Sequence, residues 1–152
     1  MDRLDLRILD SLQRQGRQSN VELAEAVGLS PSPCLRRVKH LERDGLIRGY
    51  RAILDRDAVG LALTIFVEIR VDKHSKKNSQ TLYEHLAAMP EVISCHMVSG
   101  VADFLAEIVV PDLKSYERLL SERLLVLPMI ADIRSNVSLR RIKSDAPLPL
   151  PV

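Results

Sequence analysis

Apolar residues recur at helical spacing near the start of the chain, at Leu4, Ile8, Leu9 and Leu12. Asp2 and Asp5 lie where the positive end of a helix dipole favours acids, so the spacing predicts a first helix over 4–14, closed by Gly16. Ser19 and Glu22 have capping-box spacing ahead of Val21, Leu23, Ala24 and Val27, which predicts a short second helix stopped by Gly28. Ser30, with Pro31 directly behind it, starts a third helix whose apolar stripe of Cys34, Leu35, Val38 and Leu41 runs to Asp44-Gly45. Three short packed helices are the expected first domain.

Beyond Gly45 the period changes. Leu46 to Leu54 reads as extended chain with a turn at Gly49, in the manner of a wing or hinge strand. From Leu61 to Val71 the pattern alternates, with Leu63, Ile65, Val67, Ile69 and Val71 on one face and Thr64, Phe66, Glu68 and Arg70 on the other. A polar stretch, 72–79, leads to a helix holding Leu82, Leu86 and Met89 that ends before Pro90. Two strand-like runs, 91–99 and 102–110, are joined by the short Gly100-Val101 connection of a hairpin. Asp112 then caps a helix holding Tyr116, Leu119, Leu120 and Leu124, stopped by Pro128, and a last strand occupies 130–142.

The order βαββαβ is the ferredoxin-like split arrangement, an antiparallel sheet with both helices on one face. The expected class is therefore α+β, with a winged helix-turn-helix over 1–56, a ferredoxin-like domain over 57–145 and a Pro-rich tail over 146–152. Phe66, Leu105 and Val109 should lie on a sheet face that the helices leave uncovered, and such a face favours pairing with a second copy. The tail lacks N–H donors at three prolines and is expected to be extended or disordered.

Charge changes this picture more than composition does. The net charge is only +2, but residues 1–56 hold eleven Lys/Arg against eight Asp/Glu, while the remainder holds eleven against twelve. The first domain is the polyanion candidate. With 3% aromatic residues and no Trp, stacking platforms for single strands are not expected, which favours double-stranded DNA. No stretch approaches 18 apolar residues and the opening MDRLDLR carries acids, so a cytoplasmic, nucleoid-associated protein without a membrane segment is expected.

The segment 23–47 carries the sharpest signal. Ala24 and Gly28 stand four apart, as a helix-turn-helix requires: a small residue where helices cross and one that tolerates positive φ in the turn. With Cys34, Leu35, Val38 and Leu41 inward, the third helix turns Ser32, Pro33, Arg36, Arg37, Lys39, His40 and Arg43 outward. In the major groove the N-terminal residues Ser32, Pro33, Arg36 and Arg37 are placed to read bases, and Lys39 and Arg43 to meet phosphates. Ser19 and Ser30, at helix starts, are further phosphate candidates.

Two features of this kind, residues 4–55 with their RDGLIRGYRA run and 99–120 (SGVADFLAEIVVPDLKSYERLL), resemble the Lrp/AsnC family of leucine-responsive, feast/famine regulators. The resemblance implies sheet-to-sheet homodimers assembling into octamer-like rings, with an amino acid bound between dimers and no other cofactor. It places the effector at the turn Ser99, Gly100, Val101, Ala102 and Asp103. There Asp103 would meet the ammonium and backbone N–H groups around Gly100 the carboxylate, with Ser135, Asn136 and Ser138 adding contacts from a neighbouring subunit. The alternative for Asp103 is an ordinary turn carboxylate. The resemblance, with the absence of extra charge near Val101, implies a free apolar amino acid, leucine or methionine. Paired recognition helices would meet half-sites about 34–36 Å apart.

Other chemistry is thinly represented. Cys95 and His96 are adjacent on a strand and point to opposite faces, which disfavours a joint metal site, and His74, His85 and His40 are scattered. No Ser-His-Asp, Walker or GxGxxG pattern is present, so an enzyme is not expected. Two rivals stay open: an enzyme resembling the Lrp-like sirohaem decarboxylases, with His96 as its candidate histidine, and an architectural DNA-binding protein without an effector.

Overall fold

A computed structural model describes residues 1–72 and 76–152, excluding the side chains of 76–79. His74 and its two neighbours, 73 and 75, in the expected polar stretch fall outside these residues. The chain divides into two compact units, one formed by 1–53 with 143–152 and the other by 54–142.

In the first unit, α1 (Arg3–Arg14), α2 (Asn20–Val27) and α3 (Pro31–Arg43) follow the apolar periodicity. Asp2 and Asp5 do more than complement the dipole of α1, because each carboxylate accepts the other's backbone N–H, at 2.9 and 2.8 Å. Ser19 and Glu22 form the same reciprocal box on α2. Gly28 closes α2 in the left-handed region, φ 74°, and lets Leu29 N–H reach the Ala24 carbonyl at 2.8 Å. Ile8, Leu23, Ala24, Val27, Cys34, Val38 and Leu41 bury together as the core. Leu35, expected among them, is instead exposed.

The expected wing or hinge strand is not formed within the single chain: residues 48–55 have no ladder partner, and Tyr50, Ile53 and Leu54 are exposed. The tail packs with the first unit. Gln13 on α1 grips Leu148 through both halves of its side-chain amide, accepting from the Leu148 N–H at 2.7 Å and donating to its carbonyl at 3.3 Å. Arg51 pairs with Asp145 at 3.1 Å.

In the second unit, β1 (Leu63–Val71), β2 (Val92–Met97), β3 (Phe104–Val110) and β4 (Ile130–Val137) form an antiparallel sheet in the order β2-β3-β1-β4. The last strand stops at Val137, short of the expected 142. Ile65, Val67, Ile69 and Val71 face α4 (Lys76–Ala87) and α5 (Leu113–Leu119), with Leu82, Leu86, Phe104, Tyr116 and Leu119 filling the space between. Asp112 caps α5 by accepting from Ser115 N–H at 2.7 Å, which holds its carboxyl below the usual carboxylate range. A π-helical turn, Leu120–Leu124, extends α5 and buries Leu124. On the opposite face Phe66 is exposed, as alternation predicts, but Val109 is buried. The chain before β1 crosses that end of the sheet, where Arg56 donates to Thr64 Oγ1 at 3.1 Å and to Glu107 at 2.9 Å.

Candidate DNA and effector sites

The seam Cys34, Val38, Leu41 fixes how α3 is turned. At 3.6 residues per turn it puts Ser32, Leu35, Arg36, Lys39, His40 and Arg43 on one side, where they line a shallow groove of about 430 Å³. Pro33 is half-buried beside them. Ser30 stands at the N-cap and Pro31 behind it, but the Ser30 side chain makes no capping bond. At Ser19 the helix-start groups are already engaged: its N–H donates to Glu22 at 2.6 Å and its hydroxyl accepts from Glu22 N–H at 3.3 Å.

Arg37 departs from the expected outward set. Its Nη1 donates to Asp2 and to Asp5, both at 2.7 Å, so the guanidinium sits between the two carboxylates of the α1 capping box. Asp5 N–H and then Arg37 hold the Asp2 carboxyl below its usual range. The physical reason is proximity: position 37 lies on the flank of the seam facing the start of α1, so Arg37 and Leu35 exchange the surroundings that spacing alone assigned them.

At the β2–β3 turn, Val98 N–H bonds the Asp103 carbonyl at 3.0 Å, and Gly100 adopts φ 133° with open space around it. Glycine is needed there for the backbone conformation. Asp103 Oδ2 accepts from the Val71 N–H at 2.8 Å, beside the register shift at Arg70/Val71 that takes β1 out of regular pairing with β4. Asp103 thus holds the backbone at the end of β1.

Val101 and Ala102 line a small cavity of about 100 Å³ together with Glu68, Arg70, Asp132 and Arg134. Register builds this set, because Glu68 faces Arg134 and Arg70 faces Asp132 across β1 and β4. Arg134 Nε lies 3.8 Å from Asp132, and Asn136 donates to Glu68 at 3.2 Å. Sequence reasoning missed these four charged residues, although charges two apart on two predicted strands were a signal for a shared polar face.

Ser135, Asn136 and Ser138 are not brought together. Ser135 turns to the helix side and bonds the Tyr116 hydroxyl. Ser138 bonds Thr64, six residues and so roughly 20 Å along β1 from Arg70. Ser99 is exposed at the turn. Cys95 packs against the core while His96 is exposed, and burial pushes the Cys95 thiol up. Among the described residues no group of three or more His, Cys, Asp or Glu is placed to hold a metal ion. No helix there is long and apolar enough to cross a membrane.

A three-helix unit presenting a basic helix, joined to a ferredoxin-like unit with a small charged notch, defines a DNA-binding protein with a separate small-molecule domain. Comparison with known proteins agrees on both halves. The sequence pattern of winged helix-turn-helix DNA-binding domains matches residues 1–48, and that of the Lrp/AsnC ligand-binding domain matches 64–148. The leucine-responsive regulatory proteins of Escherichia coli K12 and Salmonella typhimurium are 43% identical over 145 residues, spanning 95% of this chain and 88% of theirs. A Neisseria meningitidis transcriptional regulator, solved in complex with L-Met, superposes with TM-score 0.93 at 36% identity, covering 98% of this chain and 96% of its own. An AsnC family regulator of Agrobacterium tumefaciens gives TM-score 0.93 at 37% identity, covering 98% and 97%. The chain belongs to the Lrp/AsnC family. It is a ligand-responsive, DNA-binding transcription regulator and not an enzyme.

Proposed function

We propose that α3 enters the major groove of double-stranded DNA, with Ser32, Pro33 and Arg36 toward base edges, Lys39, His40 and Arg43 toward phosphates and Ser30 at the helix start as a phosphate donor. Arg37 belongs to a different role, setting the pose of α3 on α1. The regulator works in the cytoplasm on the nucleoid, as a homodimer that assembles further into an octamer. The exposed apolar residues of the unpaired 48–55 segment and Phe66 support assembly, since each is solvated in a single chain.

The effector is an apolar amino acid, leucine or methionine. The observation that carries this is the notch itself: Arg70 and Arg134 match a carboxylate, Glu68 and Asp132 match an ammonium, and Val101 and Ala102 offer an apolar wall. At about 100 Å³ it falls well below the ~300 Å³ at which small-molecule pockets begin, so a neighbouring subunit completes the enclosure. The leucine-responsive relatives and the L-Met complex support the ligand class.

A thermal-shift screen against the twenty amino acids tests the assignment. Leucine or methionine should raise the melting temperature, with a stabilisation of ~2.7 kcal/mol at a hundred times Kd, and Arg134→Gln and Glu68→Gln should each remove the rise. An undiminished rise in both variants places the ligand elsewhere. No rise with any amino acid favours the architectural reading.

A further inference from the structure

Leu35 is not explained by the cationic character of α3. Leu35 is 43% exposed, yet every other residue lining its groove is polar or cationic: Ser32, Arg36, Lys39, His40 and Arg43. A single exposed leucine is ordinary on a protein surface. What sets this one apart is its ring of cations, because an apolar protein partner would have to desolvate those charges without compensation. Duplex DNA supplies phosphates for the cations and one apolar group on the floor of the major groove, the thymine C5 methyl. Leu35 is the fifth residue of α3, about 6 Å along the axis from Pro31 and within the half of a recognition helix that reaches base edges.

We propose that Leu35 is a specificity-determining residue that packs on a thymine methyl, so that each half-site carries a thymine within about two base pairs of the base read by Arg36, guanine being the base that arginine bonds bidentately. The assignment rests on α3 being the recognition helix. It adds an apolar contact that no pattern of Arg and Lys provides, and it makes the protein sensitive to one methyl group of the DNA.

The test uses the full-length protein. A preferred duplex is first selected from random sequence. Each thymine is then replaced in turn by deoxyuridine, which deletes only the methyl, and each guanine by 7-deazaguanine, which deletes the N7 acceptor. Binding is measured for the wild type, Leu35→Ala, Leu35→Met and Arg36→Ala, with circular dichroism confirming that the variants fold. One thymine per half-site should lose about fourfold in wild-type affinity on conversion to deoxyuridine, the worth of one buried methyl-sized group. Leu35→Ala should be indifferent to that change, and Leu35→Met, which keeps apolar reach, should retain the sensitivity.

The proposal is overturned if no deoxyuridine replacement weakens the wild type, or if Leu35→Ala shows the same loss. In that case an Arg36-dependent loss at 7-deazaguanine still supports α3 as the reading helix, whereas absence of both sensitivities removes α3 from base recognition altogether.

Discussion

On α3 the working surface is a stripe on a single element, and its residues come together wherever the helix forms. At the β2–β3 turn the surface is composite: Glu68 and Arg70 come from β1, Asp132 and Arg134 from β4, and Val101 and Ala102 from the turn between β2 and β3. The stripe needs only the 3.6-residue period, while the notch needs a register between strands about sixty residues apart in the chain. Charge is also used differently. The stripe concentrates one sign, and the notch alternates signs. A substitution on the stripe should therefore alter binding with little effect on folding, and one at the notch should alter both.

Asp103 is where that contrast can be broken most sharply. Asp103→Ala removes the acceptor of the Val71 N–H in an almost fully buried strand end, and an unsatisfied buried donor costs about 1–3 kcal/mol. Chemical denaturation should show a loss of that size. Asp103→Asn retains a side-chain oxygen for the Val71 N–H while removing the charge. If Asp103 also meets the ligand's ammonium, the Asn variant keeps stability but loses the amino-acid response. If it serves the backbone alone, the Asn variant keeps both and the ammonium falls to Glu68 and Asp132.

Along α3 the sharper test is within the stripe. Arg36→Ala should lower discrimination between the preferred site and its guanine-substituted variants by about 1–3 kcal/mol, measured as a ratio of Kd values. Lys39→Ala should weaken binding to all duplexes alike and reduce the slope of log affinity against log salt by about 0.9 per lost phosphate contact. Equal, uniform losses in both variants would show that the stripe holds DNA without reading it.

These contrasts show what was legible in the sequence. Capping residues, the Gly28 turn and the alternation of Ile65, Val67 and Ile69 are local, so the order of elements, the sheet face and the basic helix could be read directly. Leu35 and Arg37 could not be sorted, because both stand beside the buried seam and only the position of α1, with Asp2 and Asp5 at its start, decides which side chain is drawn inward. Ser135 and Asn136 were grouped as neighbours in the chain, yet strand alternation sends one to Tyr116 and the other to Glu68. The four charges of the notch escaped because register between β1 and β4 is a tertiary fact.

The smallest expected effect separates Arg37 from its neighbour. Arg37 binds two carboxylates of the protein itself, so Arg37→Ala should lower the melting temperature near neutral pH, whereas Arg36→Ala, with its side chain on the exposed stripe, should not. The Asp2 carboxyl is held below its usual range by Asp5 N–H and Arg37, so it binds protons less readily in the folded chain than in the unfolded one. Its contribution is therefore fully present above the unfolded value of about 3.9 and is lost as pH falls through the lower folded value. The gap in melting temperature between wild type and Arg37→Ala should accordingly narrow as the pH falls from about 6 to about 3. Both exposure of Asp2 and salt screening keep the change modest, and the gap should shrink further in high salt. A gap that is unchanged at low pH would mean that Arg37 stabilises the first unit through packing of its aliphatic stem and not through the carboxylate clamp.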